Sequence, residues 1–228
     1  MAKRETDIKY TISLDEDQKK VAAAIWANQI IVINGRAGSG KTLAAAQTAL
    51  DMVFKKEHDR ISITRVNVET GRSLGYLPGD KDDKLSPYLQ GFKDNIYKCY
   101  VDTPQKKEKI DKMFESDTIN YLPIAYIRGL TINEILIVEE VQNCTIHEIK
   151  AILTRLGTNG KIIITGDFDQ CDTRDGEMNG LHYLKEMSKA ISEVQYFTLK
   201  NNHRSDLVGK ILDWDYSRKK TSEKLASF

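Results

Sequence analysis

The stretch Gly35-Arg36-Ala37-Gly38-Ser39-Gly40-Lys41-Thr42 restricts the fold of this chain more than any other, because it is a complete G-x-x-x-x-G-K-[ST] loop. Such a loop works only between a strand that delivers it and a helix that carries its last residues away. Both neighbours are present. The apolar run Ile30-Ile31-Val32-Ile33 precedes it, and the segment from Thr42 to Leu50 is rich in helix formers and has no Pro or Gly. The glycines let successive backbone N–H groups turn inward into an anion nest, the Lys41 ammonium reaches the outer phosphates of a nucleotide, and the Thr42 hydroxyl holds Mg²⁺. A Gly/Ser turn that merely joined a strand to a helix would not require the Lys41-Thr42 pair at this spacing.

Hydrophobic patterning extends the unit over most of the chain. Ser13-Leu14-Asp15-Glu16 has the form of a capping box, which predicts a helix from Ser13 with Val21, Ala24 and Ile25 on its apolar face. Gln18 sits in that helix just upstream of the loop, where its amide could pair with an adenine edge; a helical glutamine is more commonly a solvated surface residue. Arg60 to Arg65 reads as a second strand. Leu77-Pro78-Gly79-Asp80 marks a tight turn, and Lys81-Asp82-Asp83-Lys84 reads as its solvated continuation. Two helices are expected next, one from Ser86-Pro87 carrying Phe92, Ile96 and Tyr97, the other from Thr103-Pro104. Ile119 to Ile124 is strand-like but contains Pro123, which suits an edge or a bend.

Ile135-Leu136-Ile137-Val138 and Lys161-Ile162-Ile163-Ile164-Thr165 are continuous runs of the kind buried on both faces of a parallel sheet. Between them Thr145-Ile146-His147-Glu148 opens a helix expected to reach Leu156, with Gly157 closing it in the left-handed conformation. A helix from Leu181 to Lys189, a strand from Val194 to Thr198 and a last helix through Val208, Ile211 and Leu212 complete the series. Alternation of this type predicts an α/β fold, a mostly parallel sheet with helices on both faces, whose ligands bind at the carboxyl ends of the strands. The phosphate loop, the pair Glu139-Glu140 and Gly166-Asp167 all fall at such ends.

Composition narrows the class of protein. With 228 residues, 40% hydrophobic and 29% charged, the chain suits one substantial core or two small ones, and one domain is expected. No apolar stretch is long enough to span a membrane, and residues 1–6 lack an apolar signal core, so a cytoplasmic protein without a membrane partner is expected. Cys99, Cys144 and Cys171 are widely spaced and read as reduced thiols. A formal net charge of +1 neither marks nor excludes a nucleic-acid binder. Polar residues 1–12 form an N-terminal extension to a domain over 13–215, and 216–228 form a basic tail.

Hydrolysis of a nucleoside triphosphate needs cradled phosphates, a bridging metal, a group that activates water and positive charge for the transition state. The loop supplies the first. Thr42 and Glu139 are the candidate metal ligands for Mg²⁺, and Glu140 is the candidate base. Two carboxylates could instead be an ordinary solvated strand terminus; a buried strand ahead of them in a P-loop chain favours catalysis.

The segment Ile137-Val138-Glu139-Glu140-Val141-Gln142-Asn143 resembles the D-E-A-Q-N motif of the PhoH-like ATPases, relatives of the first core domain of superfamily-one helicases. Thr64-Arg65, Val68-Glu69-Thr70-Gly71, Leu74 to Asp80, Leu153-Thr154-Arg155-Leu156-Gly157 and Thr165-Gly166-Asp167-Phe168-Asp169-Gln170-Cys171-Asp172 match further blocks in order. The resemblance implies a RecA-like P-loop NTPase that hydrolyses ATP with Mg²⁺, coupled to RNA or single-stranded nucleic acid, in a ring-like homo-oligomer for which a hexamer is one candidate size. It also implies an adenine contact for Gln18, γ-phosphate sensing for Gln170 and a γ-phosphate arginine at Arg204, acting on its own or a neighbouring subunit. Arg128 and Arg155 are further candidates for charge stabilisation. Departures are visible too: Glu139 stands where the family has Asp, Val66 where it has Pro, Thr173-Arg174 for Leu-Pro and Ser205 for His. No second helicase core or nuclease domain is expected. A small-molecule kinase and a regulatory module that binds ATP with little hydrolysis are the competing classes; the Glu139-Glu140 pair argues against the first, and Glu139 in place of Asp keeps the second open.

Overall fold

The structure, a computed structural model, describes residues 8–66, 81–170, 179–205, 207–214 and 217–218, with the side chains of 81–88 excepted. The blocks around Val68 to Asp80, the residues Cys171 to Arg174, and the basic cluster at Lys219, Lys220 and Lys224 lie outside the described residues.

In chain order the elements are α1 (Glu16–Ala27), β1 (Ile30–Gly35), α2 (Lys41–Phe54), β2 (Ile61–Arg65), α3 (Lys81–Tyr100), α4 (Pro104–Glu115), β3 (Ile119–Tyr121), α5 (Ile124–Ile127), β4 (Ile135–Glu139), α6 (Ile146–Leu153), β5 (Lys161–Gly166), α7 (Gly180–Ala190) and β6 (Val194–Leu199). Residues 207–214 are also helical. The six strands form one sheet in the order β3-β2-β4-β5-β1-β6, and every pairing is parallel. This is the expected α/β architecture, a parallel sheet with helices on both faces and the phosphate loop following β1. Among the described residues no helix is long and apolar enough to cross a membrane.

The continuous apolar strands are covered on both sides because alternate residues serve opposite cores. Ile31, Ile33, Ile137 and Ile163 join α1 to α4 in one cluster, while Val32, Leu136, Val138, Ile162 and Ile164 join α6 and α7 in the other. The edge strand β3 is shorter than the expected run to Ile124: it ends at Tyr121, Pro123 is the N-cap of α5, and Ile124 is helical. The order of the central strands places β4, β5 and β1 side by side, so their carboxyl ends form one continuous rim.

Several local expectations are corrected. The first helix is capped by Asp15, not Ser13: the same box recurs two residues on, with the Asp15 carboxylate accepting from the backbone N–H of Gln18 at 2.8 Å and Gln18 Oε1 accepting from the Asp15 N–H at 2.9 Å. The third helix starts at Lys81, so 81–84 are helical and not a solvated continuation of the turn. The helix α6 stops at Leu153 because the chain then pairs with Ile132, whose N–H donates to the Arg155 carbonyl at 2.7 Å and whose carbonyl accepts from Gly157 at 2.8 Å. Gly157 is not left-handed. It is needed for close approach, since a Cβ there would lie 2.1 Å from Asn133 Oδ1.

Two glycine substitutions should move stability in opposite directions. At Gly160 a Cβ would meet the Ile132 carbonyl oxygen at 2.0 Å, whereas at Gly91, inside α3, it would meet nothing within 4 Å. Gly160→Ala is expected to lower the thermal midpoint, and Gly91→Ala to stabilise by about 0.5–1 kcal/mol through helix propensity. Denaturation followed by circular dichroism checks both.

Candidate functional site

The loop after β1 arrives at the rim with Gly38 at φ 85° and Gly40 at φ 78°, left-handed values that a side chain would strain. Gly40 is the N-cap of α2 and offers no side chain to the first N–H groups of that helix. Those donors, at the positive end of the helix dipole, suit an anion. The Ser39 hydroxyl is buried without a hydrogen-bond partner. The Lys41 ammonium donates to the carbonyls of Gly35 and Arg36. Burial pushes its pKa down, opposed by the carboxylates of Asp167, Glu140 and Glu139.

Loop residues Ala37, Gly38, Gly40, Lys41 and Thr42 line a cleft of about 630 Å³, within the range of small-molecule sites. Glu140, Asp167, Gln170 and Arg204 share its walls with Ile12, Leu43, Arg65, Asn95, Lys98 and His203. A depression of about 330 Å³ beyond the loop is lined by only Gly35 and Arg36 of the motif.

At the end of β4 the two carboxylates diverge. Glu139 is buried, and Thr42 Oγ1 donates to its Oε1 at 2.8 Å, joining the loop to a residue 97 positions away. Burial raises the Glu139 pKa, with the Thr42 bond and Arg65 opposing. Among the described residues no group of three or more His, Cys, Asp and Glu side chains could hold a metal. A cation at Thr42 and Glu139 would therefore depend on phosphate oxygens and water, which is how Mg²⁺ binds in nucleotide sites. Glu140 faces the cleft from a left-handed backbone (φ 59°, ψ 39°), held on one oxygen by Arg65 at 3.4 Å and on the other by Gln142 at 2.7 Å. Across the rim, Gln170 Nε2 donates to Asp167 Oδ2 at 2.9 Å. Burial raises the Asp167 pKa.

The segment after β6 covers the loop. His203 N–H donates to the Gly38 carbonyl at 2.9 Å, and a Cβ on Gly38 would lie 2.7 Å from the Arg204 side chain. Asp15 Oδ2 binds Asn201 Nδ2 at 2.9 Å and His203 Nε2 at 3.0 Å. Hydrogen bonds from Asn201 and the Gln18 N–H, with His203, hold the Asp15 carboxyl below its usual range. The sheet therefore brings Arg204 into the cleft of its own chain.

Other expected residues are placed elsewhere. Gln18 is buried behind the loop, its amide spent between the Asp15 N–H and the Ser39 carbonyl, accepting at 2.9 Å and donating at 3.1 Å. It is buried, not solvated, and is not among the residues that line the cleft; one N–H and one lone pair of its amide remain for a further contact. Arg36 pairs with Asp169 at 2.7 Å and Asp213 at 2.8 Å, so its guanidinium is committed to bracing. Arg128 and Arg155 lie away from the cleft, the Arg155 guanidinium donating to the Arg128 carbonyl at 3.2 Å. Sequence reasoning gave no role to Arg65, Gln142, His203 or the Asn95 and Lys98 pair; only their positions relative to the motifs could have signalled them.

The family described as PhoH-like protein matches residues 12–215. PhoH-like proteins of Synechocystis and of Bacillus subtilis are 36% identical over 199 residues, covering 86% of this chain and 59% and 61% of theirs. The protein PhoH of Escherichia coli is 34% identical over 189 residues, 79% of this chain and 51% of its own. The chain thus spans roughly half to three fifths of these relatives. Among solved structures, the Pif1 helicase of Candida albicans superposes at a TM-score of 0.43 with 15% identity, covering 84% of this chain and 41% of that one.

Gly38→Ala combines a left-handed φ with the Arg204 clash. It is expected to weaken binding of a fluorescent ATP analogue by at least about tenfold, equivalent to about 1.4 kcal/mol. Titration of wild type and variant side by side, with thermal midpoints as the folding control, checks this.

Proposed function

From the chain's membership of the PhoH-like protein family, shown by the match over residues 12–215 and by relatives 34–37% identical, we propose that it binds ATP with Mg²⁺ and hydrolyses it to ADP and phosphate. The observation that carries this reading is the Thr42–Glu139 hydrogen bond, because it sets the phosphate loop beside the strand end from which Glu140 faces the same cleft.

The backbone N–H groups around Gly38, Gly40 and the start of α2 receive phosphate oxygens, and Lys41 exchanges its two carbonyl partners for the outer phosphates. Thr42 and Glu139 are the residues that would hold Mg²⁺, which would supply positive charge against that of the phosphates. Glu140 accepts the proton of the attacking water; a carboxylate has lone pairs left after the bonds from Arg65 and Gln142. Gln170 and Arg204 stand on the same walls, the one suited to contact the γ-phosphate and the other to offset its charge. Coupling to RNA or another single-stranded nucleic acid, a ring-like homo-oligomer and a cytoplasmic setting complete the proposal on family likeness. Turnover measured with and without RNA, single-stranded DNA and duplex tests the coupling.

Lys41→Ala is expected to reduce turnover by at least about a hundredfold, the scale of losing a charge that stabilises the transition state. Hydrolysis at the wild-type rate in that variant would reject the site. Because Arg204 lies beside Gly38 of its own chain, mixing inactive Lys41→Ala and Arg204→Ala proteins should restore no activity. Recovery in the mixture would mean that the arginine acts across a subunit boundary.

A further inference from the structure

The candidate base raises a question of support. Glu140 occupies the left-handed region with a full side chain, a conformation disfavoured for any residue with a Cβ, and its carboxylate is one-third exposed. A group held this way drifts unless neighbours fix it. Arg65 is a loose partner, 3.4 Å away and itself 41% exposed.

Gln142 is different. It is 0% exposed, it lies in the short 3-10 turn Val141–Asn143 that follows Glu140, and its amide is used at both ends. Its Nε2 donates to Glu140 Oε2 at 2.7 Å, and its Oε1 accepts from the backbone N–H of Asp167 at 3.0 Å. Nε2 also lies 3.5 Å from the Gln170 carbonyl. Room for this arrangement exists because residue 166 is glycine, where a Cβ would crowd Gln142 Oε1 at 3.2 Å and Val141 and Leu181 at 3.0 Å. The carbonyl end of the amide is thus anchored on β5, and the donor end points at the carboxylate.

We propose that Gln142 is a positioning residue for the hydrolytic step, aiming the Glu140 carboxylate and locking it to the Asp167–Gln170 side of the cleft. The inference rests on the ATPase reading for its kinetic consequence but not for its geometry. A buried amide whose two ends bridge two strand termini transmits displacement. Asp167 accepts from the Asp169 N–H and from Gln170 Nε2, both at 2.9 Å, so a shift of Gln170 on one wall reaches Glu140 on the other through Asp167 and Gln142. Gln142 touches no reacting atom in this scheme; it acts through Glu140.

Gln142→Met keeps the length and approximate volume while removing both hydrogen bonds. It is expected to lower kcat by at least about tenfold, the scale of misplacing a general base, while the KM for ATP and the Kd for AMPPNP stay within about threefold of wild type. A crystal structure of the variant should show the Glu140 carboxylate moved from its wild-type position. Gly166→Ala, which presses on Gln142 without changing its polarity, serves if the first variant does not fold, and should give the same separation of kcat from binding. A kcat within about twofold of wild type in either folded variant, or equal losses in kcat and AMPPNP binding, would overturn the proposal. The two readings fail differently: absence of Lys41-dependent hydrolysis in the wild type rejects the ATPase assignment, and an unmoved Glu140 in the Gln142→Met crystal rejects the role of Gln142.

Discussion

The hydrogen bond from Thr42 to Glu139 holds together two parts of the molecule that nothing in the local chain would bring near each other. One belongs to the first turn of α2, the other to the last residue of β4, and β5 lies between β4 and β1 in the sheet. The contact exists because parallel strands all end on the same rim and because the connections carry the helices over the two faces, away from that rim. Remove the parallel order and the loop would still be glycine-rich, but it would face no carboxylate.

The rim concentrates charge in a place where charge is costly. Lys41, Glu139 and Asp167 are all partly or largely withdrawn from water, and burial pushes each of them toward its neutral form. Their mutual attraction offsets part of that cost. A ligand carrying both anionic and cationic parts, such as a metal-bound polyphosphate, would offset more, so binding and local stability are linked. The covering segment from Asn201 to Arg204 adds to this, tying α1 to the loop through Asp15 and His203. Gln18 reinforces the same joint from behind.

Much of the fold could be read from residue pattern. The buried runs around Ile137 and Ile163 and the helix cap at Thr145 follow from hydrophobicity and backbone chemistry acting over a few residues. Element ends were less legible. Ser13 and Asp15 both head an acceptable capping pattern, and the second prevails because it buries Gln18 against the phosphate loop. Gly157 resembles a helix terminator, yet its smallness is used for contact with Asn133 and Ile132, which only the tertiary arrangement supplies.

The residues of the phosphate loop, the two glutamates and the Gly166-Asp167 block were determined by sequence alone, since each needs particular atoms at fixed spacing along one segment. Which of them meet was decided by the sheet order, which sets β4 and β5 beside β1 and leaves Arg128 and Arg155 remote. The tertiary structure also decided the parts played by Gln18, Arg36 and Gln142. A long polar side chain has no preferred partner in its own stretch of chain. Its hydrogen bonds are chosen by whichever unsatisfied donors and acceptors the folded neighbours present to it in a space closed to water.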